Sequence, residues 1–202
     1  MSAQPLPTLS AGDRAALLAL ARRAIAARLE GHSLPPTDEL PESLREARDA
    51  FVTLHVDGRL HGCIGRLEAD RPLFEVVVHC AVGAATEDPR FPPLAIGDLE
   101  RLKVEISVLS HPVVVESVDQ IEAGRHGVIV SRGRRQGLLL PQVATEQGWD
   151  RTTLLRQTCR KAGLPPDAWE HGARLQKFEA EVFAEELAPG SQSELDVDES
   201  PD

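Results

Sequence analysis

Phe51-Val52-Thr53-Leu54-His55-Val56-Asp57-Gly58-Arg59-Leu60-His61-Gly62-Cys63-Ile64-Gly65 reads as a β-hairpin that runs into a glycine-flanked cysteine. Strand-forming residues stand on both sides of Asp57-Gly58, the pair that favours a type I′ turn. The hairpin puts an antiparallel sheet in the fold and places Cys63 at or just past a strand end. Gly62 and Gly65 remove two Cβ atoms there and permit positive φ, which suits backbone that stops beside a pocket. A packing role fits the same residues, since free cysteine often serves as a small apolar filler and glycine in a strand can mark a bulge.

Outward from the hairpin, helices and strands alternate without a regular βαβ rhythm. Ser10-Ala11-Gly12-Asp13 has the form of a capping box, and Leu17, Leu18, Ala21, Ile25 and Leu29 recur at helical spacing up to Gly31. After the hairpin, Asp70 and Pro72 open a second helix that carries Leu73, Val77, Cys80, Ala81 and Ala84 on one face, which makes Cys80 a core residue. Leu102, Val104, Ile106 and Val108 alternate with Lys103, Glu105 and Ser107 as in a half-buried strand. A second hairpin joins Val128-Ile129-Val130 to Leu138-Leu139-Leu140 through the exposed turn Arg132-Gly133-Arg134-Arg135, and Pro141 ends it. Asp150 caps a helix to Ala162, with Trp149 and Leu154 as a hydrophobic staple. Phe178, Ala180 and Val182 alternate with Lys177, Glu179 and Glu181 in one last strand. The pattern predicts an α+β protein, with mainly antiparallel sheet flanked by helices.

The chain has 202 residues, enough to bury a core without staples. Three cysteines, Cys63, Cys80 and Cys159, form no C-x-x-C pair, and the start lacks a secretory pattern, so a cytoplasmic protein with free thiols is expected. No apolar run is long enough to span a bilayer, so no membrane partner is expected. The formal charge is −10, but seven acids from Glu185 onward leave the rest near −3. Residues 187–202 are accordingly expected to be an acidic disordered tail, and residues 1–9 a flexible N-terminus. Aromatics are 3% and no basic stripe interleaves with them, which argues against nucleic-acid binding.

Several constellations carry chemistry. His61-x-Cys63 puts two ligands on one strand face, but His79 and Cys80 diverge on a helix, so no metal site and no cofactor are predicted. There is no G-x-S-x-G, dinucleotide fingerprint or phosphate loop. Asp88-Pro89-Arg90-Phe91-Pro92-Pro93 is a rigid loop presenting an acid and a base, either as an ion pair that holds the loop or as an Arg90 fork for an anionic ligand group. His126 stands at the mouth of the second hairpin as a candidate acid or base. Glu105 is functional if the polar face of its strand lines a cleft, and Gln142 offers capping or a ligand contact.

Together these residues resemble the AMMECR domain family, in particular its bacterial members called AmmeMemoRadiSam system protein A. The resemblance rests on six ordered motifs: Gly62-Cys63-Ile64-Gly65, Asp88-Pro89-Arg90-Phe91-Pro92-Pro93-Leu94, Glu105-Ile106-Ser107-Val108-Leu109, His126-Gly127, Leu138-Leu139-Leu140-Pro141-Gln142-Val143-Ala144 and Thr158-Cys159-Arg160-Lys161-Ala162-Gly163-Leu164. It spans about the first helix to about Phe183 and implies one domain over 10–186, with two interlocked subdomains, the smaller over approximately 62–110, and a cleft near the cysteine. The family's biochemical activity is not established. Its gene neighbourhood implies a Memo-like protein and a radical SAM enzyme as partners. One departure stands out: the family usually has arginine before Gly-Cys-Ile-Gly, whereas this chain has His61, which is positive only when protonated.

Two functional readings follow. In the first, the chain is an accessory component whose cleft, formed by Gly62, Ile64, Gly65, Asp88, Arg90, Glu105 and Gln142, binds a small anionic molecule or a partner's segment. In the second, it is a thiol-dependent enzyme with Cys63 as nucleophile and His126 or His61 as base. A structural adaptor without a chemical site is the third class.

Overall fold

The computed structural model describes residues 8–67 and 70–186. The hairpin forms as its sequence dictates: Asp57 and Gly58 adopt φ of 50° and 73°, the two left-handed residues of a type I′ turn. It joins β1, Ala50–Val56, to β2, Arg59–Arg66. β1 also pairs antiparallel with β3, Leu102–Leu109, and β3 with β8, Ala180–Ala184, giving the first sheet the order β2-β1-β3-β8.

One face of this sheet is covered by α1, Ala11–Glu30, and α2, Leu73–Thr86. α1 starts at a complete capping box between Ser10 and Asp13 and stops where Gly31 turns left-handed. Val52, Leu54, Val104, Ile106 and Val108 from the strands meet Leu17, Ile25, Val77 and Cys80 from the helices, all without solvent exposure. The N-terminal stretch is anchored earlier than its composition suggests. Leu9 is buried, and its N–H donates to Glu181 Oε2 at 3.0 Å, so the flexible segment expected over 1–9 does not reach Leu9. The rest of that segment, up to Pro7, and the acidic tail from 187 lie outside the described residues.

The second sheet has the order β4-β7-β5-β6 and is antiparallel throughout. It comprises β4, Val113–Val114, β5, Gly127–Arg132, β6, Arg135–Leu139, and β7, Arg174–Phe178. α4, Arg151–Lys161, packs on it around Val128, Val130, Leu154, Leu155 and Cys159. A short helix that the sequence reading lacks, α3 over Pro141–Glu146, follows β6 with proline at its first position. Pro141 therefore ends a strand by starting a helix.

The run read as one last strand is two. It breaks at Glu179, so β7 belongs to the second sheet and β8 to the first. The second unit, residues 113–178, is thus inserted between two neighbouring strands of the first. Where the chain leaves and returns, Ser110 N–H donates to Glu179 O and Glu179 N–H donates to Ser110 Oγ, both at 2.9 Å. Leu109, Ile129, Leu138, Leu140 and Phe178 form a third apolar cluster at this junction, with Phe51 and Ala180 against it. The division differs from the expected 62–110 subdomain, because a boundary at 62 would fall inside β2 and part its second half from β1, with which it pairs.

Candidate functional site

The same period of two that buries Ala50, Val52 and Leu54 under the helices turns Phe51, Thr53 and His55 to the opposite face of the first sheet. Thr53 stands opposite Cys63 on one side and opposite Glu105 on the other. Residues opposed across antiparallel strands share a face, so thiol, hydroxyl and carboxylate form one row across β2, β1 and β3. Thr53 Oγ1 lies 3.3 Å from Cys63 Sγ and donates to it. Cys63 is inside β2 and not at its end, because the ladder continues to Arg66 opposite Ala50.

β2 is an edge strand, and its outer side is closed by the loop after α2. Asp88-Pro89-Arg90-Phe91 makes a turn in which Phe91 N–H donates to Asp88 O at 3.2 Å, and Arg90 N–H donates to Asp88 Oδ1 at 3.1 Å. The buried Asp88 carboxylate accepts from Cys63 N–H at 2.9 Å. Arg90 reaches it with Nε at 2.9 Å and Nη2 at 2.7 Å, and Nη2 also lies 3.3 Å from Cys63 O. The pair thus satisfies the free N–H and C=O of Cys63 as a neighbouring strand would. Hydrogen bonds from Arg90, and further ones from the two backbone amides, hold the Asp88 carboxyl well below the usual carboxylate range against its burial. Arg90 Nη1 has no partner among the described residues, and the guanidinium lies over the Phe91 ring.

Next to this row a cleft of about 680 Å³ opens between the two units. Phe51, Gly65, Arg66 and Leu67 line it from the first, Gln136, Gly137, Leu138 and Lys161 from the second. Gly137 lets β6 approach α4 closely, since a Cβ there would lie 2.4 Å from Ala162 N, and this brings Lys161 to the cleft. Crowding by protein lowers the Lys161 pKa; nearby Cys63 opposes the shift and Arg90 reinforces it. Deeper on the same sheet face, Gln142 Nε2 donates to Ser107 Oγ at 3.2 Å while Gln142 Oε1 is buried without a partner. The Glu105 carboxylate has no hydrogen bond or ion pair among the described residues.

The expected site residues divide into two groups. Cys63, Asp88, Arg90, Glu105 and Gln142 converge on one sheet face and its edge. Gly62 and Ile64 face the helix side: a Cβ on Gly62 would lie 2.1 Å from Ala84 O, and Ile64 packs against Gly83. Gly65 points at the Phe51 ring, 2.2 Å from where its Cβ would be. These residues shape the wall by packing. His126 is buried in the other unit, where its Nδ1 accepts from Glu122 N–H at 3.0 Å. Desolvation, with Lys177 and Arg125, lowers its pKa. No contact joins it to Cys63 among the described residues, so the pairing of His126 with the thiol does not form. His61 occupies the bulge between the Leu54–Gly62 and His55–Leu60 pairs, and its ring stacks on Phe91 at 6.0 Å.

Thr53 and Lys161 were not among the residues expected at the site. Thr53 is legible as the polar alternate of β1, but Lys161 arrives through tertiary packing and carries no local signal. Cys80 and Cys159 are fully buried, and burial pushes the Cys80 thiol up to about 12. No group of three or more metal-ligating side chains occurs, and no helix is long and apolar enough to cross a membrane, among the described residues.

Residues 18–183 match the family model described as AMMECR1. A protein of Methanopyrus kandleri is 46% identical over 197 residues, covering 91% of this chain and 93% of its own. One from Thermofilum pendens is 44% identical over 200 residues, covering 90% and 94%. The crystal structure of an uncharacterized Pyrococcus horikoshii protein is similar with a TM-score of 0.84 at 40% identity, covering 89% of this chain and 94% of that one.

Proposed function

The chain belongs to the AMMECR1 family, and from that footing we propose that it is an accessory binding component whose interdomain cleft holds a small molecule or a segment of a partner protein. The observation that carries this reading is the treatment of Cys63. Asp88 and Arg90 lock its peptide group in place, while its side chain and the row Thr53–Glu105 face the side where the cleft opens. A site held rigid and polar before anything enters it favours binding, because less freedom is lost on association. The bacterial resemblance supports a Memo-like protein and a radical SAM enzyme as the partners. Arg90→Ala is expected to weaken co-purification with those two proteins, or to strip a co-purifying ligand seen by native mass spectrometry. Retention of both at parental levels overturns the role given to Arg90.

One contact favours a second reading, a thiol-dependent enzyme. The Thr53 hydroxyl donates to Cys63 Sγ and holds the sulfur on the sheet face beside the cleft. Native protein is then expected to take up iodoacetamide at Cys63 while buried Cys80 and Cys159 stay unlabelled. Thr53→Val should slow that uptake. Equal, slow labelling of all three thiols removes this reading.

A further inference from the structure

The charges around the cleft are sorted by position. Cations gather at the β2 edge: Lys161 from α4, and the exposed guanidinium of Arg90 with Nη1 open. Arg66 also lines the wall there, but Asp70 takes its guanidinium at 3.1 Å. Two strands further in, on the same sheet face, stand the unpaired Glu105 carboxylate and the buried, unpartnered Oε1 of Gln142. Both are acceptors without donors. Phe51 and Leu138 give the cleft an apolar stretch. Two strand spacings separate Cys63 from Glu105, about 10 Å.

A purely anionic ligand would suit Lys161 and Arg90 but would meet the negative field of Glu105 if it extended inward. An amine alone would suit Glu105 and meet two cations at the other end. We propose that the cleft, with the sheet face beside it, takes an extended dipolar ligand, with an acidic group at Lys161 and Arg90, an aliphatic middle against Phe51 and Leu138, and a protonated amine or amide N–H at Glu105. This rests on the binding reading above and sharpens it from an anion to a molecule of opposite ends. Lys161 is exposed, lines the cleft and has no ion pair or hydrogen bond among the described residues, so its ammonium is open to an incoming anion.

The test titrates the full chain with ω-aminooctanoate, octanoate and octylamine, read by backbone amide chemical shifts. The dipolar probe is expected to bind roughly tenfold more tightly than either single-ended one, with shifts at Gly65, Glu105 and Leu138. Glu105→Gln should erase its advantage over octanoate, and Lys161→Gln its advantage over octylamine; amide dispersion of each variant checks that it is folded. Equal affinity for all three probes overturns the dipolar ligand while leaving an apolar binding cleft. Octanoate matching the dipolar probe reduces the site to an anion site. Absence of any shift at the cleft overturns the proposal, and the co-purification test of Arg90 then judges the binding reading separately.

Discussion

Asp88 uses both carboxylate oxygens on groups that fix the edge of β2, accepting from Cys63 N–H, Arg90 N–H and the Arg90 guanidinium. Its side chain is 3% exposed and that of Arg90 56%, so solvent screens the pair from one side only. Asp88→Asn should therefore cost about 1–3 kcal/mol near neutral pH, less than breaking a fully buried pair. The sign of its pH dependence follows from the depressed pKa. The unfolded chain takes up the proton first, so the contribution is whole above the ordinary aspartate value of 3.8 and drains as pH falls toward the lower folded value. Urea denaturation of parent and variant from about pH 7 to about pH 2 should show a gap that narrows only at the acid end. A gap independent of pH would remove the charge from the account. At this scale the sequence was informative about Asp88 and Arg90, because a loop with prolines on both sides of a base limits where the acid can point. It was misleading about His126, whose loop position says nothing of the distance to Cys63 across two sheets.

Elements show where periodicity suffices and where it fails. The first hairpin, α1 and α4 were legible because turn and cap residues act within a few positions of themselves. The break at Glu179 was not, because Lys177 to Val182 alternates without interruption and only the partners on either side reveal two strands. The glycines beside Cys63 were legible as special but not as to why. Gly62 is required by the helix behind it: β2 and α2 approach so closely that any Cβ would enter the carbonyl of Ala84. Backbone cannot step aside as a flexible side chain can. Gly62→Ala should therefore cost at least 2 kcal/mol, roughly, and it should shift the edge strand that carries Cys63. Thermal unfolding measures the first effect and the iodoacetamide rate of Cys63 the second. Parental values of both would mean that the close approach is not needed.

For the whole molecule, the decisive property is that the second unit is inserted into a sheet that closes only after the chain returns. β8 completes the first sheet beside β3, and Glu185, just beyond it, accepts from Arg22 of α1 at 2.7 Å and from Val104 N–H at 2.9 Å. Loss of the second unit would leave these contacts joined through a long open loop, which raises the entropy cost of keeping them. The apolar cluster at the junction adds a direct link, with Phe178 buried between the units. The two halves are therefore expected to unfold together. The molecule supplies separate reporters, since Trp149 and Trp169 both lie in the second unit while α1 and α2, its longest helices, lie in the first. Tryptophan fluorescence and far-ultraviolet circular dichroism should give superimposable urea transitions. Phe178→Ala should shift both by the same amount, about 3–5 kcal/mol. If fluorescence moves and dichroism does not, the units are independent and the cleft between them is a hinge; if the curves stay together, the cleft is a rigid seam, which the dipolar site at its edge requires.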